Sequence, residues 1–450
     1  MTLAFSSRRQ ALLAALASTV LLAACGGGGG DGPGNTNLRA INLTTDVPSV
    51  DLFTGDTRRF NALATDAVAT TISLEANTYT LNVKKANDPQ ALLSGSYTLA
   101  KDQNYTAVIW GRETAPRLST LPEDENVDNI TDANSTKIRF FNATTDTGAV
   151  DVFITASSTD LGAAQPLQSS LTSGSISGFR DTASGNFRLR VTGAGDPNDV
   201  RLDIASVTMP AKKYATLVLT AGAGGVLVNG TLIEQRGAAT TLKNTSSRVR
   251  MVASVANAGN ISASLGTGAA TSTLVGALRS PGVGPYTLVP AGDQALTVRV
   301  NGNVISSATR SFAPGADYTL LAFGAENAGQ LSVLTDDNRL PSGNTRAKIR
   351  LVNGLSLAQP LTMQIDFLTQ TATSDIAAGN SSAYATTAAA GSNRLDITSS
   401  TAAEPLFTLT AASGANLLQA QGVYTVFMLG GGPVTATTPA GQAGRLSRDR

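Results

Sequence analysis

Four segments of this chain open alike, so internal repetition constrains the architecture before anything else does. They read Leu38-Arg39-Ala40-Ile41-Asn42, Ile138-Arg139-Phe140-Phe141-Asn142, Val249-Arg250-Met251-Val252 and Ile349-Arg350-Leu351-Val352-Asn353. The shared arginines lie 100, 111 and 100 residues apart. Twelve residues after the first two arginines come Val50-Asp51-Leu52-Phe53 and Val150-Asp151-Val152-Phe153. The fourth segment has Ile365-Asp366-Phe367 at a longer interval, and the third has Ser262 in place of the acid. Each unit closes on a tyrosine and an apolar run: Tyr105 to Trp110, Tyr214 to Leu219, Tyr318 to Phe323 and Tyr424 to Leu429.

Between these ends lie alternating runs such as Tyr79 to Val83 and Phe187 to Val191, each followed by an Asp-Pro turn. Short β-branched runs punctuated by Gly, Asn, Asp and Pro predict strands and turns, with no sustained helical period. About seven strands in ~100 residues is the content of a small β-sandwich. The opening and closing runs are apolar on both faces, which predicts that they lie centrally in a sheet. The expected fold is all-β, four tandem Ig-like β-sandwich domains at 38–121, 137–236, 248–335 and 347–436. Linkers fall at 122–136, 237–247 and 336–346, and a polar tail at 437–450. Acidic stretches precede the second and fourth units but not the third, which predicts two pairs made by duplication.

An Arg-x-x-Asn strand, a Val-Asp-Val/Leu-Phe strand, then Tyr-Thr and an apolar strand resemble the bacterial domain of unknown function 4397. Units one and two match best; the third lacks both Asn and Asp, and the fourth is stretched. The resemblance covers nearly all of the chain beyond the leader. It implies an exported tandem β protein and brings no activity with it.

The N-terminus carries Arg8 and Arg9, an apolar run from Ala11 to Leu22, and then Leu22-Ala23-Ala24-Cys25. That is the layout of a cleaved export signal, with an apolar run too short for the ~20 residues of a spanning helix. It resembles a bacterial lipoprotein signal, residues 1–24, with Leu22 to Cys25 as the lipobox. The resemblance implies that Cys25, the single cysteine, becomes the acylated first residue and partners the membrane. Gly26 rather than aspartate follows it, which in that family points to the outer membrane. Ser7-Arg8-Arg9-Gln10-Ala11-Leu12 also resembles a twin-arginine signal, so the export route stays open. The rest of 25–37 is glycine-rich and reads as a flexible tether.

Net charge is +1 and charged residues are 14%, against roughly 25% in an average protein. No basic patch suggests nucleic acid as a partner. With no histidine and one cysteine, serine-hydrolase and zinc chemistry lack their usual side chains. Gly222-Ala223-Gly224-Gly225 and Gly430-Gly431-Gly432 lack the Lys-Ser/Thr and helix of a phosphate cradle. No cofactor is expected, and no catalytic or metal site is assigned.

The recurrent residues have two readings each. Arg39 with Asp51, and Arg139 with Asp151, predict ion pairs between neighbouring strands; a carboxylate ligand site is the alternative. Tyr105, Tyr214, Tyr318 and Tyr424 predict hydroxyls tied to nearby loop backbone, with a binding role as the alternative. Glu123, Asp124, Glu125, Asp128, Asp336 and Asp337 read as a solvated linker or as calcium ligands between domains. The expected function is a non-enzymatic, membrane-anchored lipoprotein with an envelope protein or polysaccharide as partner. A carbohydrate-binding module is the alternative, and needs Trp110, Phe153 and Tyr79 on one exposed face. A carboxylate-dependent hydrolase acting through acids such as Asp51 is a third reading.

Overall fold

The computed structural model describes residues 34–355, 360–430 and 443–450. The leader, Cys25, most of the tether, Gly431 and Gly432 lie outside the described residues. The regular structure of the described chain is nearly all β, arranged in eight sheets of four or five strands, two sheets to a unit.

The first unit sets the pattern. Its strands are β1 (Asn35–Thr44), β2 (Ser49–Thr54), β3 (Thr57–Ala64), β4 (Ile72–Glu75), β5 (Asn77–Lys85), β6 (Ala91–Leu99), β7 (Asn104–Arg112) and β8 (Ala115–Pro122). One sheet runs β4-β1-β7-β8 and the other β3-β2-β5-β6. The opening strand β1 and the closing strand β7 lie side by side and parallel, with Arg39 opposite Thr106. The other three units repeat this pairing between Ser135–Ala143 and Lys213–Ala221, Ser246–Val255 and Asp317–Ala325, and Arg346–Asn353 and Val423–Leu429.

Period-two alternation sends one face of each opening and closing strand into its own sandwich. In the first unit Leu38, Ala40, Ala107 and Ile109 face inward to meet Val50, Leu52, Leu81 and Val83 of the second sheet. The opposite face carries Ile41, Leu43, Val108 and Trp110, and it too is buried, against Phe141, Ala143, Val218 and Ile233 of the second unit. Trp110 meets Phe141 edge to face at 5.4 Å. Units three and four join the same way through Val252, Leu321 and Phe323 against Val352, Phe427 and Leu429. The molecule is thus two pairs, each a four-layer stack with the two parallel-stranded sheets in the middle. Double-sided burial explains why those strands are apolar on both faces.

The segment expected as a polar tail differs. Ala443–Arg448 forms the last strand of the fourth unit, antiparallel to Val423–Leu429, as β8 is to β7. The expected linkers are also more ordered: Ala239–Leu242 adds a fifth strand to the second unit's inner sheet.

Candidate functional site

Each opening-strand arginine points outward, into the seam between paired units. Arg39 does not meet Asp51, because the two strands belong to different sheets. Its Nε donates to Thr106 Oγ1 at 2.8 Å and its Nη2 to Glu123 at 2.5 Å. It also reaches across the seam to the carbonyls of Glu234 and Gly237 in the second unit. Arg139 likewise does not meet Asp151. It donates to Thr216 and to the carbonyl of Pro122, and stacks over Phe179. The residue matching Glu123 in the second unit is Gln235, so Arg139 has no carboxylate there, and burial pulls its pKa down.

The second pair completes the exchange. Arg250 of unit three donates to Thr319 and, at 2.5 Å, to Asp449, which follows the last strand of unit four. Arg350 of unit four donates to Thr425 and, at 2.5 Å, to Asp336, which ends the last strand of unit three. Thr319 and Thr425 in turn donate to Asp336 and Asp449. Arg250 stacks over Tyr286 and Phe427, and Arg350 over Tyr384. Arg350 is 1% exposed and Asp336 1%, so this is a fully buried crossed pair. Burial by itself raises the Asp336 pKa, but Arg350 and Arg250, with hydroxyls of Thr319 and Tyr286, hold it below the usual carboxylate range.

Asp51 and Asp151 do other work. Asp51 accepts from the amide of Ala62 at 2.6 Å and Asp151 from those of Ser170 at 2.7 Å and Gly195 at 2.9 Å. Ala62 and Ser170 have φ of 47° and 48°, at breaks in the ladder to the neighbouring strand. Each carboxylate thus pins a β-bulge, whose extra residue leaves an amide unpaired.

Three of the closing tyrosines accept an amide hydrogen bond from five residues upstream: Ala100 to Tyr105, Ala313 to Tyr318 and Gln419 to Tyr424. Tyr214 sits opposite Lys137, one position earlier in the parallel ladder than Tyr105, which faces Leu38. A one-residue offset turns a strand side chain to the other face. Tyr214 accordingly faces the seam, edge to face with Phe179 at 4.9 Å.

The linker acids are engaged individually. Glu123 and Asp336 are in the ion pairs above, and Asp124 accepts from the amide and side chain of Asn104. Asp337 binds Arg339 at 2.7 Å and Lys348 at 2.9 Å, and these cations bring its pKa down to about 2 although burial opposes the shift. Asp128 is exposed and Glu125 half-buried, its backbone amide and carbonyl bonded to the Gln235 side chain. Among the described residues no group of three or more acids, His or Cys converges as a cation cage. Trp110 lies in the first seam, Phe153 is buried in unit two, and Tyr79 is half-buried against the first core, its hydroxyl on the Glu75 carbonyl. The three rings form no common face.

Sequence reading missed the junction between the pairs. On the first pair's side of it, Arg112 at the end of β7 donates to Asp146 of unit two at 2.6 Å and to the Gly222 carbonyl of the same unit. The loop Gly222–Gly225 meets unit three: Gly224 donates to Gly315 at 2.8 Å and accepts from Asn338 at 3.0 Å. Leu340 donates to the Asp146 carbonyl. Arg450 donates to the carbonyls of Asp146, Gly225 and Asn338, and burial with nearby Arg201 and Arg248 pulls its pKa down. The run of three glycines and one alanine was the available signal: a Cβ on Gly225 would stand 2.4 Å from the Arg339 backbone. Beside this junction Arg112, Arg117, Asp146, Arg339 and Lys348 line a cleft of about 460 Å³.

Paired all-β sandwiches joined by buried arginine seams define a tandem-repeat scaffold. The chain matches the family model described as a domain of unknown function (DUF4397) over residues 36–153 and 247–364, and it belongs to that family. Each matched region starts at the opening strand of the first member of a pair and runs into the second. No curated protein matches the sequence. Among solved structures the chain is similar to one described as a cell adhesion protein from Bacteroides uniformis, at 12% identity over 45% of this chain and 97% of that one, TM-score 0.20. It is also similar to the Bacillus anthracis TIE protein, at 8% identity over 64% of this chain and 49% of that one, TM-score 0.13. A third is a CBM26-family module from Eubacterium rectale in complex with maltoheptaose, at 14% identity over 46% of this chain and 95% of that one, TM-score 0.14.

Proposed function

We propose that this chain is a non-enzymatic lipoprotein of the bacterial cell envelope, held in the outer membrane by acyl groups on Cys25. The glycine-rich tether lifts two locked pairs of sandwiches off the bilayer, and their surfaces meet an envelope protein or polysaccharide. The observation that carries this reading is where the recurrent polar residues are spent. Arg39, Arg139, Arg250 and Arg350 hold the seams, Asp51 and Asp151 pin bulges, and Tyr105, Tyr318 and Tyr424 tie strand starts. What the units have in common is architecture, and an anchored scaffold is what that architecture serves. Three acyl chains on one sulfur and amine exceed the two lipid signals that stable anchoring needs.

The test is metabolic labelling of cells with an alkyne fatty acid, followed by fractionation. The chain is expected to carry label and sediment with outer membranes, and Cys25→Ser to lose both. Unlabelled protein in the cytosol would overturn the anchor.

A further inference from the structure

We propose that the cleft at the junction of the two pairs binds an acidic saccharide, a sugar chain bearing carboxylates. At about 460 Å³ it falls within the ~300–1,000 Å³ of small-ligand sites, and it lies between domains, where such sites concentrate. Its walls come from units one, two and four and from the linker between three and four. Occupancy therefore bridges both pairs.

Charge indicates what it takes. Four cations, Arg112, Arg117, Arg339 and Lys348, face two acids, Asp146 and Asp337. Both acids are already answered, Asp146 by Arg112 at 2.6 Å and Asp337 by Arg339 and Lys348. The remaining excess is positive in a chain whose net charge is only +1. Arg117 is exposed and has no ion pair among the described residues. Nη1 of Arg112 and of Arg339 has no acceptor there either. A planar fork of donors suits a carboxylate.

The rest of the wall indicates the body of the ligand. Thr114, Thr145, Ser342 and Asn344 line the cleft, and their side chains make no hydrogen bond among the described residues. They suit sugar hydroxyls, which both donate and accept. Asp146 also keeps one buried carboxylate oxygen without a partner. Among the described residues no aromatic ring lines the cleft, so its recognition surface is charged and hydroxyl-bearing.

The site stands whether or not Cys25 is acylated. Its test is calorimetric titration of the full chain in detergent micelles with a short oligogalacturonate, a neutral galacto-oligosaccharide of equal length, and sodium sulfate. The acidic sugar alone is expected to bind, more weakly as salt rises. Arg117→Ala should weaken it about tenfold, because a charge-assisted contact is lost. Arg117 is exposed, so this variant keeps its fold, which an unchanged circular dichroism spectrum checks. No binding of the acidic sugar overturns the proposal. So does equal binding of the neutral sugar or of sulfate, or an affinity unchanged by Arg117→Ala.

Discussion

Asp336 shows how much can rest on one side chain in a seam of this kind. It is 1% exposed, bonded to Arg350 at 2.5 Å, and accepts hydroxyls from Thr319 and Tyr286. Removing one partner of such a pair leaves a buried charge unanswered, at a cost of about 3–5 kcal/mol. Asp336→Ala is therefore expected to lower stability by that amount in urea titration, whereas substituting exposed Asp128 changes it little. Acid acts on the same groups. Asp336 and Asp337 have folded pKa values below their unfolded ones, to about 2 for Asp337, so the unfolded chain takes up protons first. Their contribution is complete above the unfolded value and fades as pH falls through the folded ones. The urea midpoint should be level above about pH 5 and fall below about pH 4. The recurrence of these arginines is plain in the sequence, but their partners are not. Arg39 uses an acid of its own unit, while Arg250 and Arg350 use acids of each other's unit. No constant spacing links such partners. The acids that do keep a constant spacing, Asp51 and Asp151, were legible as recurrent and serve bulges instead.

At the scale of elements, the strands that read most clearly were those buried on both faces. Their apolar character was visible in sequence; that the second covering layer is another unit was not, since periodicity tells burial and not its source. The closing strand of unit two shows a subtler limit. Aligning Tyr214 with Tyr105 is natural by residue type, yet the true register matches Thr216 with Thr106, each opposite an arginine. Ala443–Arg448 was unreadable as a strand because Leu446 is its one large apolar residue. The loop Gly222–Gly225 belongs here too. Gly225 has φ of 91° and leaves no room for a Cβ against Arg339, so Gly225→Ala is expected to part the two pairs while each stays folded. Limited proteolysis reads this directly: new cleavage within residues 337–345, with the remaining fragments resistant. An unchanged cleavage pattern would show that the junction does not depend on that approach.

For the molecule as a whole, two kinds of interface divide the labour. Within a pair the seam is apolar, with a buried ionic centre: Trp110 and Phe141 at one, Phe323 and Phe427 at the other. Between pairs the contacts are backbone hydrogen bonds, guanidinium–carbonyl bonds and one ion pair at 4.0 Å, Arg248 with Asp199, and among the described residues no apolar cluster crosses. Polar interfaces of this type separate more readily than apolar ones. The pair is then the folding unit, and the junction between pairs is where the molecule gives and where a bridging ligand has leverage.

Trp110 is the single tryptophan and lies on the outward face of the first unit's sheet, covered by unit two. Its fluorescence in the full chain therefore tests pair-locking most directly. A locked pair gives a blue-shifted emission maximum and weak quenching by acrylamide until the first pair unfolds. A red-shifted, freely quenched emission from the folded chain would mean that the units stand apart as separate beads.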